Sequence, residues 1–178
     1  MSLNIVLTLT GTDRVGIVDE VTQLLLNLGG NIETSRMARL GGEFAMLMLV
    51  TLPSERRTLL DKALAQLEAR GYKVTTTSTA PSYGQGHVGW PSYKIEVKGA
   101  DHEGIIHEVA QTLAQKRISI EGMDTGTTRA PNSGTPLFTM TALVVVPPEL
   151  TEQGWREALE EVSRALAVDI AISQVGEI

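Results

Sequence analysis

Apolar residues recur at every second position near the start of the chain and then change to a helical spacing. Ile5, Leu7 and Leu9 stand two apart, which predicts a strand with one buried face. Over residues 17–28 the apolar positions stand three and four apart, which predicts an amphipathic helix. Gly29-Gly30 follow directly, and glycines at this position commonly end helices. A strand, a turn and a helix are therefore predicted in that order.

The next segments complete a unit of four strands and two helices. Gly41-Gly42 separates two strand patterns, and paired glycines favour a two-residue hairpin turn because its residues need positive φ angles. The elements predicted after the first helix are two hairpin strands, a helix and a strand, at 31–40, 43–52, 59–67 and 72–79. The order β-α-β-β-α-β is that of the ferredoxin-like fold.

The second half of the chain repeats this pattern. The motif Gly-x-Asp-x-x-Gly-Ile occurs at residues 11–17 and returns 88 positions later at 99–105. Repetition of this kind indicates duplicated structural units. The elements predicted in the second half are a strand, a helix, two hairpin strands, a helix and a strand, at 93–97, 106–113, 118–129, 137–146, 155–166 and 168–175. We predict an α+β fold of two ferredoxin-like domains, at 1–79 and 93–178, joined by a linker at 80–92.

Composition narrows the classes of function. The chain has 178 residues, a net charge of −6 and no cysteine. An acidic balance disfavours direct nucleic-acid binding, and the lack of cysteine excludes disulfides, a thiolate nucleophile and cysteine metal ligands. No apolar run reaches membrane-spanning length, and the first residues do not resemble a signal peptide. We therefore expect a cytoplasmic protein without membrane contact.

The repeated turn carries the residues with the most specific chemistry. Its second glycine, Gly16 or Gly104, leaves the start of the helix without a side chain, so a ligand can approach the backbone there. Free N–H groups and the helix dipole suit a carboxylate, and the nearby Asp13 or Asp101 suits an ammonium group. Together they would recognise both charges of a free amino acid. The alternative is that each aspartate only caps the helix by accepting hydrogen bonds from its first amides.

Three segments of the first half also carry a family resemblance: Gly11-Thr12-Asp13-Arg14-Val15-Gly16-Ile17-Val18, Asn31-Ile32-Glu33-Thr34-Ser35-Arg36-Met37 and Gly42-Glu43-Phe44. They resemble the ACT domain and, more narrowly, the glycine cleavage system transcriptional repressor family, which has two such domains in tandem. The resemblance covers nearly the whole chain and is tighter in the first half. In the second half Ser119-Ile120-Glu121 replaces Asn31-Ile32-Glu33.

The resemblance implies a regulatory module whose ligand sites lie at the turn after the first strand and at the start of the second strand, usually between two domains. Carried over by position, the ligand-binding candidates of the first half are Asp13, Arg14, Val15, Gly16, Ile17 and Asn31. Those of the second half are Asp101, His102, Glu103, Gly104, Ile105 and Ser119. Glu103 adds a carboxylate that would repel a ligand carboxylate placed nearby.

The function implied is that of a non-catalytic regulatory protein. It would bind a small amino acid such as glycine, need no cofactor, form a homo-oligomer and pass its ligand state to a protein partner such as a transcription factor. A direct contact with nucleic acid is not expected. Two alternatives stay open: a purely structural oligomerisation module, and an acylphosphatase-like enzyme in which Arg14 and Asn31 serve the reaction.

Two further patterns have simpler explanations. His102, Glu103 and His107 fall in an acidic segment, but the two histidines are five apart and would not share a helix face, so we expect a polar helix start and no metal site. Residues 84–89 match Gly-x-Gly-x-x-Gly, yet Trp90-Pro91 follows where a dinucleotide-binding motif would open a helix. That segment is interpreted as linker.

Overall fold

The computed structural model describes residues 2–79, 87–130 and 134–176, and the chain divides into two compact units, Met1–Gly84 and Gln85–Ile178. The predicted limits of the domains stay a prediction, because residues 80–86 of the predicted linker lie outside the described residues. The first three residues of the Gly-x-Gly-x-x-Gly match lie outside them as well. Among the described residues, no helix is long and apolar enough to cross a membrane.

The first unit contains the six elements that its pattern predicts. They are β1 (Ser2–Thr12), α1 (Ile17–Asn27), β2 (Asn31–Leu40), β3 (Glu43–Pro53), α2 (Arg57–Glu68) and β4 (Lys73–Ser78), with a short 3₁₀ segment at Ser54–Arg56. The strands form one antiparallel sheet in the order β2-β3-β1-β4. The predicted hairpin turn is confirmed, since Gly41 and Gly42 have φ angles of 59° and 93°.

The core of the first unit contains the apolar residues that the alternation in β1 and the helical spacing in α1 predict to be buried. Ile5, Leu7 and Leu9 of β1 are fully buried, which the alternation predicted. Ile17 and Val21 lie in the same buried cluster, since residues four apart share a helix face. The helices therefore pack on one face of the sheet, while the end residues of β1, Ser2 and Thr12, are exposed.

The second unit repeats the order of elements. They are β5 (Ser92–Ala100), α3 (Ile105–Gln115), β6 (Ser119–Arg129), β7 (Pro136–Val145), α4 (Glu152–Leu166) and β8 (Val168–Val175). The sheet order is β6-β7-β5-β8, equivalent to that of the first unit. The prediction of two ferredoxin-like α+β domains is confirmed. Residues 131–133 of the loop between β6 and β7 lie outside the described residues.

The first glycine of each motif lies within a strand. Gly11 pairs with Phe44 in the first sheet, and Gly99 pairs with Phe138 in the second. A Cβ atom at Gly11 would lie 2.5 Å from Cδ1 of Tyr72, and one at Gly99 would lie 2.6 Å from Cγ1 of Val168. Both glycines are therefore places of close approach between neighbouring strands.

Candidate functional site

The two candidate sites are the bends that join a central strand to the helix after it. We call residues 13–16 the first bend and residues 101–104 the second bend. Each ends in a glycine with a left-handed backbone, since φ is 89° at Gly16 and 95° at Gly104. This conformation favours glycine. Neither helix start has a side-chain cap, so the first amides of α1 and α3 are left for another acceptor.

The hypothesis that Asp13 and Asp101 cap the helices is wrong. The N-cap positions are Gly16 and Gly104, three residues further along, and the aspartates make no cap hydrogen bond. The backbone amide of Asp13 donates instead to the carbonyl of Gly42, at 3.0 Å. A left-handed glycine already turns the chain into the helix, so each aspartate stands too early to reach the first amides.

A cluster of charged side chains surrounds the first bend. The Arg14 guanidinium donates from Nε to the Tyr72 hydroxyl at 2.9 Å and from Nη2 to Glu20, and Arg70 donates to the same carboxylate. Hydrogen bonding to Glu20, followed by that to Tyr72, raises the pKa of Arg14. An open depression of about 260 Å³ lies beside this cluster and is lined by Thr12, Asp13, Arg14, Arg70, Gly71 and Tyr72.

Sequence reasoning missed Tyr72, Arg70 and Glu20 as members of this site. Tyr72 directly precedes β4, which pairs with β1 and so carries its ring to Gly11. The predicted β-α-β-β-α-β order contains that signal, because β1 and β4 are neighbours in this fold. A third arginine, Arg39, also reaches the bend and has its Nε 3.8 Å from Oδ2 of Asp13.

The second bend is built differently. His102 stands where the first bend has Arg14, and its two ring nitrogens lie 3.0 Å from the carbonyl of Glu103 and 2.9 Å from that of Leu166. An open depression of about 610 Å³ lies here, lined by residues 101–107 with Ala110 and Phe138. Both ring nitrogens of His102 are thus engaged by the protein's own backbone.

Two carbonyl acceptors favour the protonated form of the imidazole, because only that form donates from both nitrogens. The hydrogen bond to Glu103, and after it the one to Leu166, raises the pKa of His102 above 6.5. Leu166 is the last residue of α4, where the helix dipole also favours a cation.

We expect His102 to make stability depend on pH. A pKa raised in the folded state adds stability that is fully present below the unfolded pKa and is lost as the pH rises through the folded pKa. The difference in melting temperature between the original chain and His102→Ala should therefore be larger at about pH 5.5 than at about pH 8.5. A proton NMR titration of His102 in the folded chain and in urea checks the cause, and a folded pKa at or below the urea value would contradict it.

The segment around His102 forms no metal cluster in the described part of the chain, where no group of three suitable side chains occurs. His102 itself has both ring nitrogens on backbone carbonyls. A metal would have to displace those hydrogen bonds, so nothing in this geometry favours one.

Asn31 and Ser119 do not lie near the bends of their own units, so the interpretation that the turn and the start of the second strand of one unit form a single site is wrong. Asn31 pairs with Thr51, whereas the bend end of β1 pairs with Glu43 at the other end of the sheet. Ser119 likewise pairs with Val145, at the far end from Ala100. The physical reason is that α1 and α3 run back along the sheet, so the next strand begins at the opposite end. Their role as ligand contacts stays a prediction and would require the bend of another unit or another copy.

This separation also removes the geometry that an acylphosphatase-like site needs. Such a site would place Arg14 and Asn31 around one phosphoryl group. Asn31 lies at the opposite end of the sheet, and the Arg14 guanidinium is held by Glu20 and Tyr72.

The remaining candidates differ in what they can offer a ligand. Val15 is fully exposed at the tip of the first bend, and Glu103 is exposed in the second. The side chains of Ile17 and Ile105 are buried in the cores. Only the backbone amides of these two residues can therefore serve a ligand.

Comparison with known proteins agrees with this architecture. A model of the ACT domain matches residues 4–74. The crystal structure of an unknown protein from Galdieria sulphuraria is 35% identical, with a TM-score of 0.83, and the match covers 98% of this chain and 99% of that one. A candidate glycine cleavage system transcriptional repressor of known structure is 25% identical, with a TM-score of 0.72 and 99% of both chains covered. The first unit is an ACT domain, and the second unit repeats its order of helices and strands.

A third relative of this ACT-domain protein is the glycine cleavage system transcriptional repressor of Escherichia coli strain K12. The two are 42% identical over 60 residues, which is 34% of this chain. The match covers 32% of the length of that relative. The resemblance to this family is therefore carried by both sequence and fold.

Proposed function

We propose that this ACT-domain protein is a non-catalytic regulatory protein that binds a small amino acid, such as glycine, at one or both bends. The observation that carries the proposal is the uncapped start of α1 and of α3, each preceded by a left-handed glycine and an aspartate. The relatives named as transcriptional repressors of the glycine cleavage system support a regulatory role and a small amino acid as its signal.

The chemistry of the first bend suits a zwitterion. Uncapped amides and the positive end of the helix dipole attract a carboxylate, and Asp13 is partly exposed beside them to accept from an ammonium group. A depression of about 260 Å³ is lined by Asp13 and gives the ammonium group of a free amino acid access to its carboxylate. Recognition of the two charges together would favour free amino acids over amines or acids alone.

Regulation would follow from differential affinity. A ligand that binds one arrangement of domains or copies more tightly than another shifts the population toward it. A homodimer is the simplest assembly in which Asn31 or Ser119 of one copy meets a bend of the other. The net charge of −6 disfavours direct binding to nucleic acid, so transcriptional control would act through a protein partner.

Calorimetric titration of the full chain with each of the twenty amino acids tests the proposal. We expect heat of binding, and a raised melting temperature, with at least one small amino acid. The amide of each binder, which lacks the carboxylate, should give a much weaker signal. No heat and no change in melting temperature with any of the twenty would overturn amino-acid binding and favour a purely structural module.

A further inference from the structure

We propose that Glu20 is a tethered carboxylate: its side chain occupies the place between Arg14 and Arg70, beside the first bend, where the carboxylate of a ligand would bind. The ligand carboxylate then binds by displacing that of Glu20. This inference rests on the proposed amino-acid binding. It deepens that function by adding Arg14 and Arg70 to the uncapped amides of α1 as groups that hold the ligand carboxylate, and by naming the residue that competes for them.

The contacts of Glu20 carry the proposal. One carboxylate oxygen accepts a hydrogen bond from Nη2 of Arg14, and the other accepts one from Nη1 of Arg70. Nε of Arg14 donates to the hydroxyl of Tyr72, and the guanidinium carbon lies 5.7 Å from the centre of that ring. Two guanidinium groups are thus positioned around one carboxylate, and the tyrosine fixes the orientation of the first.

The two arginines that hold Glu20 also line the depression that a ligand would enter. Arg14 and Arg70 lie on its wall with Asp13, so a guanidinium pair and a carboxylate stand beside one another. Guanidinium groups bind carboxylates through paired, planar hydrogen bonds. An amino acid could therefore place its carboxylate on the arginines and its ammonium group toward Asp13.

Glu20 can be displaced because the cluster is partly exposed. The side chains of Glu20, Arg14 and Arg70 retain 27%, 42% and 56% of their accessible surface. Ion pairs with this exposure contribute little to stability, since water screens them. The free energy of exchanging the Glu20 carboxylate for a ligand carboxylate on the same arginines is then close to zero. A modest additional affinity of the ligand is enough to displace Glu20.

The second bend lacks this arrangement and serves as an internal comparison. His102 replaces Arg14 and is bound to two backbone carbonyls. Glu108 stands where the first unit has Glu20, and within the described residues it forms no ion pair. It lines the groove between α3 and α4 instead. We therefore assign competition by a tethered carboxylate to the first bend alone.

The test is calorimetric titration of full-length Glu20→Gln with the twenty amino acids and the amide of each binder. The neutral amide of glutamine competes poorly for guanidinium groups, so binding of the amino acid should tighten about three- to ten-fold. The amide probe, which has no carboxylate, should not tighten. Glu108→Gln removes the same charge from the equivalent position and should leave binding unchanged. Melting curves establish that both variants fold.

Arg70→Gln provides the opposite change at the same site. It should weaken binding of the amino acid about three- to ten-fold and leave the amide probe unaffected. If the original chain binds an amino acid and Glu20→Gln binds it with the same or a lower affinity, this inference is overturned and the proposed function stands. Equal tightening in Glu108→Gln would overturn it too, since it would indicate a general effect of charge. If neither the original chain nor Glu20→Gln binds any of the twenty amino acids, both this inference and the proposed function are overturned.

Discussion

Asp13→Asn is expected to weaken binding of a free amino acid about 10- to 100-fold. Hydrogen bonds to a charged group contribute roughly 1.5–3 kcal/mol, and tenfold in affinity corresponds to about 1.4 kcal/mol. The asparagine keeps the size of the side chain but loses the charge that attracts the ligand ammonium group. The Asp13 carboxylate makes no helix cap, and its only ion pair among the described residues is the 3.8 Å contact with Arg39. The fold should therefore tolerate the change.

Asp19→Asn is the matched control for this prediction. Asp19 lies in the first turn of the same helix and is exposed, so its replacement changes the charge near the bend by the same amount. Its effect on affinity should stay below about threefold, the range of an exposed charge interaction. Calorimetric titration of both variants measures the difference. Equal weakening by the two would show that Asp13 acts only through net charge and not as a direct ligand contact.

Gly99→Ala is expected to lower the free energy of unfolding by about 1–3 kcal/mol, the range for overpacking a well-packed core. The added methyl would lie 2.6 Å from Cγ1 and 3.1 Å from Cα of Val168, which is buried. Cα belongs to the backbone of β8 and cannot rotate away. The two strands would have to separate at their paired residues, Gly99 and Val168.

Gly122→Ala is the control for the effect of adding a methyl to a strand glycine. An added Cβ at Gly122 meets nothing within 4 Å, and its φ is not positive. The variant should match or slightly exceed the stability of the original chain, because alanine loses less conformational entropy on folding. Urea unfolding followed by circular dichroism compares the midpoints. A Gly99→Ala midpoint equal to that of Gly122→Ala would contradict the close approach.

The fold was predictable from the sequence because local periodicity and turn chemistry agree in both halves. Alternation in β1 gave the buried face, and Gly41-Gly42 marked the hairpin that the structure contains. β2 and β8 begin and end at the predicted residues. Strong local signals of this kind do not depend on which segments meet later in the fold.

The site was less predictable because its members come from distant parts of the chain. Tyr72 reaches Arg14 and Arg70 reaches Glu20 only through the pairing of β4 with β1, which no local pattern around residue 14 contains. The interpretation that Asn31 lies near the first bend fails for a different reason. The 11-residue helix α1 carries the chain back by roughly 16 Å, at about 1.5 Å per residue, so the second strand begins at the opposite end of the sheet.

The most direct test of the central claim is a two-dimensional ¹⁵N–¹H NMR titration of the full chain with an amino acid that gives heat in calorimetry. If the uncapped helix start receives the ligand, the backbone amide signals of residues 14–18 should move most, and those of 102–106 should move only if the second bend also binds. The signal of Leu60, in the buried face of α2 and ten residues before Arg70, should stay in place. Saturating ligand that shifts amides elsewhere and leaves both bends unchanged would contradict the account.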